Sequence, residues 1–103
     1  MIEPRSKVSA ILEAMESDRS AYEQASKDEA SKERDYRKFK GEKMLEAKDG
    51  TVLEKQAWLD SICADKRYER DLARNMKEFH REALRSRQAE IYLLKTLIEQ
   101  ENG

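Results

Sequence analysis

The chain has 103 residues, room for one domain at most. Charged residues make up 42% of it and mean hydropathy is -1.02, which excludes a thick globular core. One cysteine, Cys63, excludes an internal disulfide and suits a reducing compartment. No stretch approaches the roughly 20 apolar residues of a membrane span. The opening MIEPRSKVSAILEAMESD is too charged for a signal peptide, so the expected location is the cytoplasm.

Such a composition fits long amphipathic helices, which need only a narrow apolar stripe. Disorder fits poorly, because net charge is only -1 and the apolar spacing is periodic. Glycine and proline are costly inside helices, and beyond Pro4 only Gly50 stands in a convincing break.

The first helix is expected over about 7–48. Val8, Leu12, Met15, Tyr22, Tyr36, Phe39 and Met44 fall near one stripe. Between Tyr22 and Tyr36 the stripe thins to Ala21, Ala25, Ser26, Ala30 and Ser31. Those small residues either admit a close helix neighbour or form a weakly packed spacer.

The break is 48–51, Lys-Asp-Gly-Thr. Asp-Gly is a turn signal, and Gly50 can take the left-handed conformation that ends a helix. Thr51 and Glu54 then have the spacing of a capping box. A short second helix is expected over 52–61, anchored by Trp58, Leu59 and Ile62.

A weaker break follows at 62–65, where Asp65 can cap a third helix over 65–100. Its stripe reads Tyr68, Leu72, Met76, Phe79, Ala83, Ile91, Leu94 and Ile98. Arg87 fills the gap between Ala83 and Ile91, either snorkelling to solvent or held in a specific pair or ligand contact. The expected fold is therefore all-α. Two long helices form an antiparallel hairpin of coiled-coil type with a short connecting helix. So thin a hairpin buries little, so homo-oligomerisation is expected to complete it.

Charge is unevenly spread. Residues 1–31 carry net -3, residues 32–87 net +4 and residues 88–103 net -2. Arg67, Arg70, Arg74, Lys77, Arg81 and Arg85 are spaced 3, 4, 3, 4 and 4, on one helical face. That stripe is about 27 Å long at the α-helical rise. Lys32, Arg34, Arg37, Lys38, Lys40 and Lys43 add a second basic cluster, interleaved with Tyr36 and Phe39. In a hairpin turning at Gly50 the two clusters come to the same end. A phosphate backbone suits such a surface, with arginine forks as its ligands. The competing reading is a solvated face whose cations pair with acids of neighbouring helices. Tyr36, Phe39 and Trp58 can stack on bases, though for most of them a place in the core is favoured.

Catalytic constellations are absent from the sequence. His80 is the single histidine and has no third member to join it with Cys63. No zinc-ligand spacing and no Gly-rich phosphate loop occur. Neither enzyme activity nor a cofactor or metal is expected.

Glu33-Arg34-Asp35-Tyr36-Arg37-Lys38-Phe39 resembles the basic-aromatic segment of UvsY-type phage recombination mediators. Asp65, Tyr68, Leu72, Phe79 and Glu82-Ala83-Leu84-Arg85-Ser86-Arg87 are similar to that family's late helix. The likeness covers roughly 33–98; the N-terminal third departs from the family. The resemblance implies a non-enzymatic oligomer that binds single-stranded DNA. Such a protein helps load a RecA-like recombinase and displaces single-strand-binding protein, in the host cytoplasm of a phage. By position, Arg85, Ser86 and Arg87 match the basic-Ser-Arg ending, and Lys38 and Phe39 the upstream segment. Spacing and resemblance together name ten candidate nucleic-acid contacts: Arg34, Arg37, Lys38, Arg67, Arg70, Arg74, Lys77, Arg81, Arg85 and Arg87. The alternative is a helical protein–protein interaction module of phage origin, such as an inhibitor, an adaptor or an assembly chaperone. In that reading Leu94, Leu97 and Ile98 serve as groove anchors.

Overall fold

The computed structural model describes residues 4–47 and 49–102. Among them the protein is all-α, with three helices and no strand: α1 (Pro4–Glu46), α2 (Val52–Ile62) and α3 (Ala64–Asn102). Among the described residues no helix is long and apolar enough to cross a membrane.

α1 begins at Pro4, earlier than the sequence reading. Proline is tolerated at the first helical position, where its missing N–H would have no intrahelical partner. The helix ends at Glu46; Lys48, where the sequence reading ended it, lies outside the described residues. Gly50 adopts φ +108°, and it alone has positive φ among the described residues. A Cβ there would stand 2.7 Å from Glu54 Oε2, the movable end of a flexible side chain, so it is the backbone that asks for glycine.

The cap at α2 follows from sequence. Thr51 is extended, and its Oγ1 accepts the Glu54 N–H at 3.1 Å.

The start of α3 departs from the sequence reading. Asp65 does not cap it. Cys63 alone separates α2 from α3, with near-helical φ -90° and ψ 0°. The Cys63 N–H donates to Leu59 O at 3.0 Å, and the Arg67 N–H to Cys63 O at 2.9 Å. Hydrogen bonding carries across the break, so Asp65 falls in the first turn instead.

The chain divides into two compact units. One joins α1 up to Gln24 with α3 from Lys77 onward; the other is Ala25–Met76.

In the Ala25–Met76 unit, α1 and α3 run antiparallel: Glu29 meets Arg74, Lys32 meets Glu69 and Glu33 meets Arg70. The less exposed positions of α1 include Ala25, Glu29, Lys32, Tyr36, Phe39 and Lys43, at alternating steps of four and three. The core is Tyr36, Leu59 and Cys63, with Phe39 packed against it. Met44, on the stripe read from sequence, is exposed, as are the expected α2 anchors Trp58 and Ile62; Leu59 alone of that trio is buried. Ala25 is buried, so the small-residue stretch does admit a close neighbour there.

Up to Met76, α3 presents a different face from the one its apolar periodicity indicates, whereas Ala83, Ile91, Leu94 and Ile98 of that stripe are buried or half-buried. Tyr68 (67% exposed), Leu72 and Met76 point to solvent, while Cys63 is fully buried and Arg67 and Arg70 are half-buried. The physical reason lies on α1. Glu29, Glu33 and Tyr36 offer carboxylates, a ring and a hydroxyl, which guanidiniums satisfy and a leucine stripe would leave unpaired.

In the other unit Ile91 is buried, and Leu84, Leu94 and Ile98 are half-buried. Val8, Ile11, Met15, Asp18 and Tyr22 are half-buried along α1. Ile11 thus takes the place that the sequence reading gave to Leu12, which is exposed. Phe79, counted in the α3 stripe, is also exposed.

Candidate nucleic-acid interface

Of the ten candidate cations, eight are engaged by acids or other partners within the chain, Arg37 and Arg85 only through pairs on their own helix, and two, Arg34 and Lys38, have no ion pair among the described residues.

In the Ala25–Met76 unit, Arg67, Arg70 and Arg74 are engaged. Arg67 donates to Asp60 Oδ1 at 3.3 Å and to Tyr36 Oη at 3.5 Å. Its basicity is raised first by the Tyr36 hydroxyl and then by Asp60. Arg70 donates twice to Asp71 Oδ1, at 3.0 and 2.9 Å, and lies 3.5 Å from Glu33 Oε2. Its guanidinium stands 4.4 Å from the Tyr36 ring centroid, a cation–π distance. The hydrogen bond to Asp71 is the main reason that its pKa is raised. Arg74 reaches Glu29 at 3.6 Å and Glu33 at 3.5 Å. The three arginines thus share a face, as their spacing requires, but that face meets carboxylates.

The other unit repeats the pattern. Arg81 is hydrogen-bonded to Glu78, which raises the arginine and holds the Glu78 carboxyl below its usual range. Arg81 Nε is buried without a partner among the described residues. Arg85 pairs with Glu82 at 3.0 Å, both exposed. Lys77 is engaged as well. Arg87 donates to Asp18 Oδ2 at 3.2 Å and reaches Glu90 at 3.7 Å. Of the two meanings for Arg87 in an apolar seam, the specific pair is the one observed.

The outward cations are on α1. Arg34 and Lys38 are exposed and have no ion pair among the described residues. Each is two positions from buried Tyr36, hence about 160° around the helix from it. Arg37 is exposed beside them and donates to half-buried Glu33 at 2.8 Å, within its own helix. The three flank an open depression that also touches Glu29, Ala30 and Glu33.

Of the three aromatic residues considered for stacking, Tyr36 and Phe39 lie in or against the core and Trp58 does not. Tyr36 is buried, with Lys40 and Arg67 each 5.8 Å from its ring centroid in addition to Arg70. Phe39 packs on the core beneath Lys43, 5.5 Å from its ring centroid. Trp58 is partly exposed.

Sequence reasoning did not find the acids that organise the arginines. Glu29 and Glu33 stand four apart on α1, as Arg70 and Arg74 do on α3, and that matched spacing is the available signal. Asp18 gave none.

Among the described residues no group of three or more histidine, cysteine or acidic side chains is gathered to hold a metal ion. Compared with protein-family models, with curated proteins and with solved structures, the chain matches none.

Proposed function

We propose that this chain is a non-enzymatic, self-associating helical protein that binds single-stranded DNA and helps to load a RecA-like recombinase in place of single-strand-binding protein. The observation that carries the DNA contact is the outward group on α1. Arg34 and Lys38 are exposed without an acid partner among the described residues, and Arg37 lies between them. Arg67, Arg70 and Arg74 hold helices together in this reading, and the DNA contact moves to α1. The recombinase and single-strand-binding protein enter through the resemblance to UvsY-type mediators, whose basic-aromatic segment covers these same residues. A full-length antiparallel hairpin of coiled-coil type, completed by other copies in the host cytoplasm, belongs to the same proposal.

A labelled single-stranded oligonucleotide with duplex competitor tests the contact. The expected result is binding that prefers single strands and weakens steeply with salt, because each neutralised phosphate releases counterions. Absence of binding at low salt would remove the reading.

A second reading is favoured by a different observation. Tyr68, Leu72 and Met76 are exposed on α3 at steps of four, the pattern of a helix that meets another protein. In that reading the chain is a protein–protein interaction module. Capture of a partner protein that Leu72→Asp abolishes, without any oligonucleotide binding, would favour it.

A further inference from the structure

The turn end of the Ala25–Met76 unit carries the most exposed large apolar side chains described: Leu45 (85%), Val52 (84%) and Leu53 (82%). Leu53 follows the Thr51 cap by two residues, so its outward position is fixed by a helix start rather than by a loose loop. Beside it, Met44, Val52 and Leu59 line an open apolar depression whose rim carries Lys55. An adjoining depression shares Lys55 and is edged by Glu46, Asp49 and Glu54. An apolar patch with a polar rim is the usual make-up of a protein interface.

We propose that a second copy of this chain docks here, with Leu53 of each copy entering the depression between Met44, Val52 and Leu59 of the other. This rests on the self-association in the proposed function and assigns it a surface. The rim selects the occupant. Asp49 and Glu54, at the edge of the adjoining depression, repel a nucleic acid or an anionic lipid surface, while Glu46 is paired with Lys43 at 3.1 Å. Lys55, Asp49 and Glu54 have no ion pair among the described residues. A two-fold pairing makes each patch its own complement and brings Lys55 of one copy to the acids of the other.

The test measures solution mass by light scattering, with helicity by circular dichroism, for the full chain and for Leu53→Asp, Leu45→Asp and Leu97→Asp. Leu97 is exposed in the other unit and serves as the control. The expected result is a multimer for the parent chain and for Leu97→Asp, and a smaller species for Leu53→Asp with helicity kept. Leu45→Asp, at an exposed position of the same turn end, repeats the test should Leu53→Asp lose helicity. A multimer that survives both turn-end substitutions overturns the proposed surface and leaves self-association standing. A parent chain of one-chain mass overturns both.

Discussion

Arg87 donates through Nε to Asp18 Oδ2 at 3.2 Å, across 69 residues of sequence. The contact ties α3 to α1 inside one compact unit, and neither residue is fully exposed. A charge in an otherwise apolar seam is kept by its partner. Arg87→Ala is expected to lower stability by roughly 0.5–1 kcal/mol, because Asp18 is left half-buried and alone. A double-mutant cycle with Asp18→Ala, measured by urea denaturation, should give a coupling of about 0.5 kcal/mol. Strict additivity of the two substitutions would show that the pair contributes nothing.

The Gly50 turn makes a sharper prediction. Gly50→Ala must adopt a positive φ that side chains disfavour, while the nearby Glu54 carboxylate is a flexible end that can move aside. A loss of about 1–2 kcal/mol is expected. Gly50→Asn should cost less, since asparagine tolerates the left-handed region better. Thermal denaturation of both variants checks the order.

The Thr51 cap is a separate increment. Thr51→Ala removes the acceptor for the Glu54 N–H, and about 1 kcal/mol of stability should go with it. Thr51→Ser should retain most of it. Equal losses in the two variants would mean that the hydroxyl does not act as the cap.

Acid should loosen the unit that holds Glu78. Its carboxyl is held below the ordinary value of 4.5, chiefly by the hydrogen bond from Arg81. The folded state therefore releases this proton more readily than the unfolded state. The stabilisation is complete above the unfolded value and disappears as pH falls through the lower folded value. Circular dichroism melts should show stability declining below about pH 4.5, with the part owed to Glu78 absent from Glu78→Gln. An unchanged acid profile in that variant would count against the pair.

Local signals made the helices legible. Gly50, the Thr51–Glu54 cap and the scarcity of glycine and proline placed α1, α2 and α3 within a few residues of where they stand. Faces were harder to read than elements. On α3 the apolar spacing of Tyr68, Leu72 and Met76 outweighs, in sequence, the neighbouring row of arginines. What turns the helix the other way is distant: Glu29, Glu33 and Tyr36 on α1, matched to Arg74, Arg70 and Arg67. The intervening α2 hides that register, because a turn followed by a short helix does not fix which residues come opposite one another. The candidate site was legible to the same extent. Spacing placed Arg67, Arg70 and Arg74 on one face and the basic cluster of α1 in the same unit. Which cations keep their charge for a ligand depended on acids that only the fold brings near.

That division of the cations is the central claim, and the salt dependence of oligonucleotide binding tests it most directly. The slope of log affinity against log salt is expected to be near -2, about -0.7 for each of three phosphate contacts. Paired Arg34→Gln and Lys38→Gln substitutions should weaken binding and reduce the slope by about 1.4 while leaving the melting temperature unchanged. Arg70→Gln should lower the melting temperature, through loss of Glu33, Asp71 and the Tyr36 ring, and keep the slope. An unchanged slope in the Arg34 and Lys38 variant, with a reduced slope in the Arg70 variant, would contradict the account and return the DNA contact to α3.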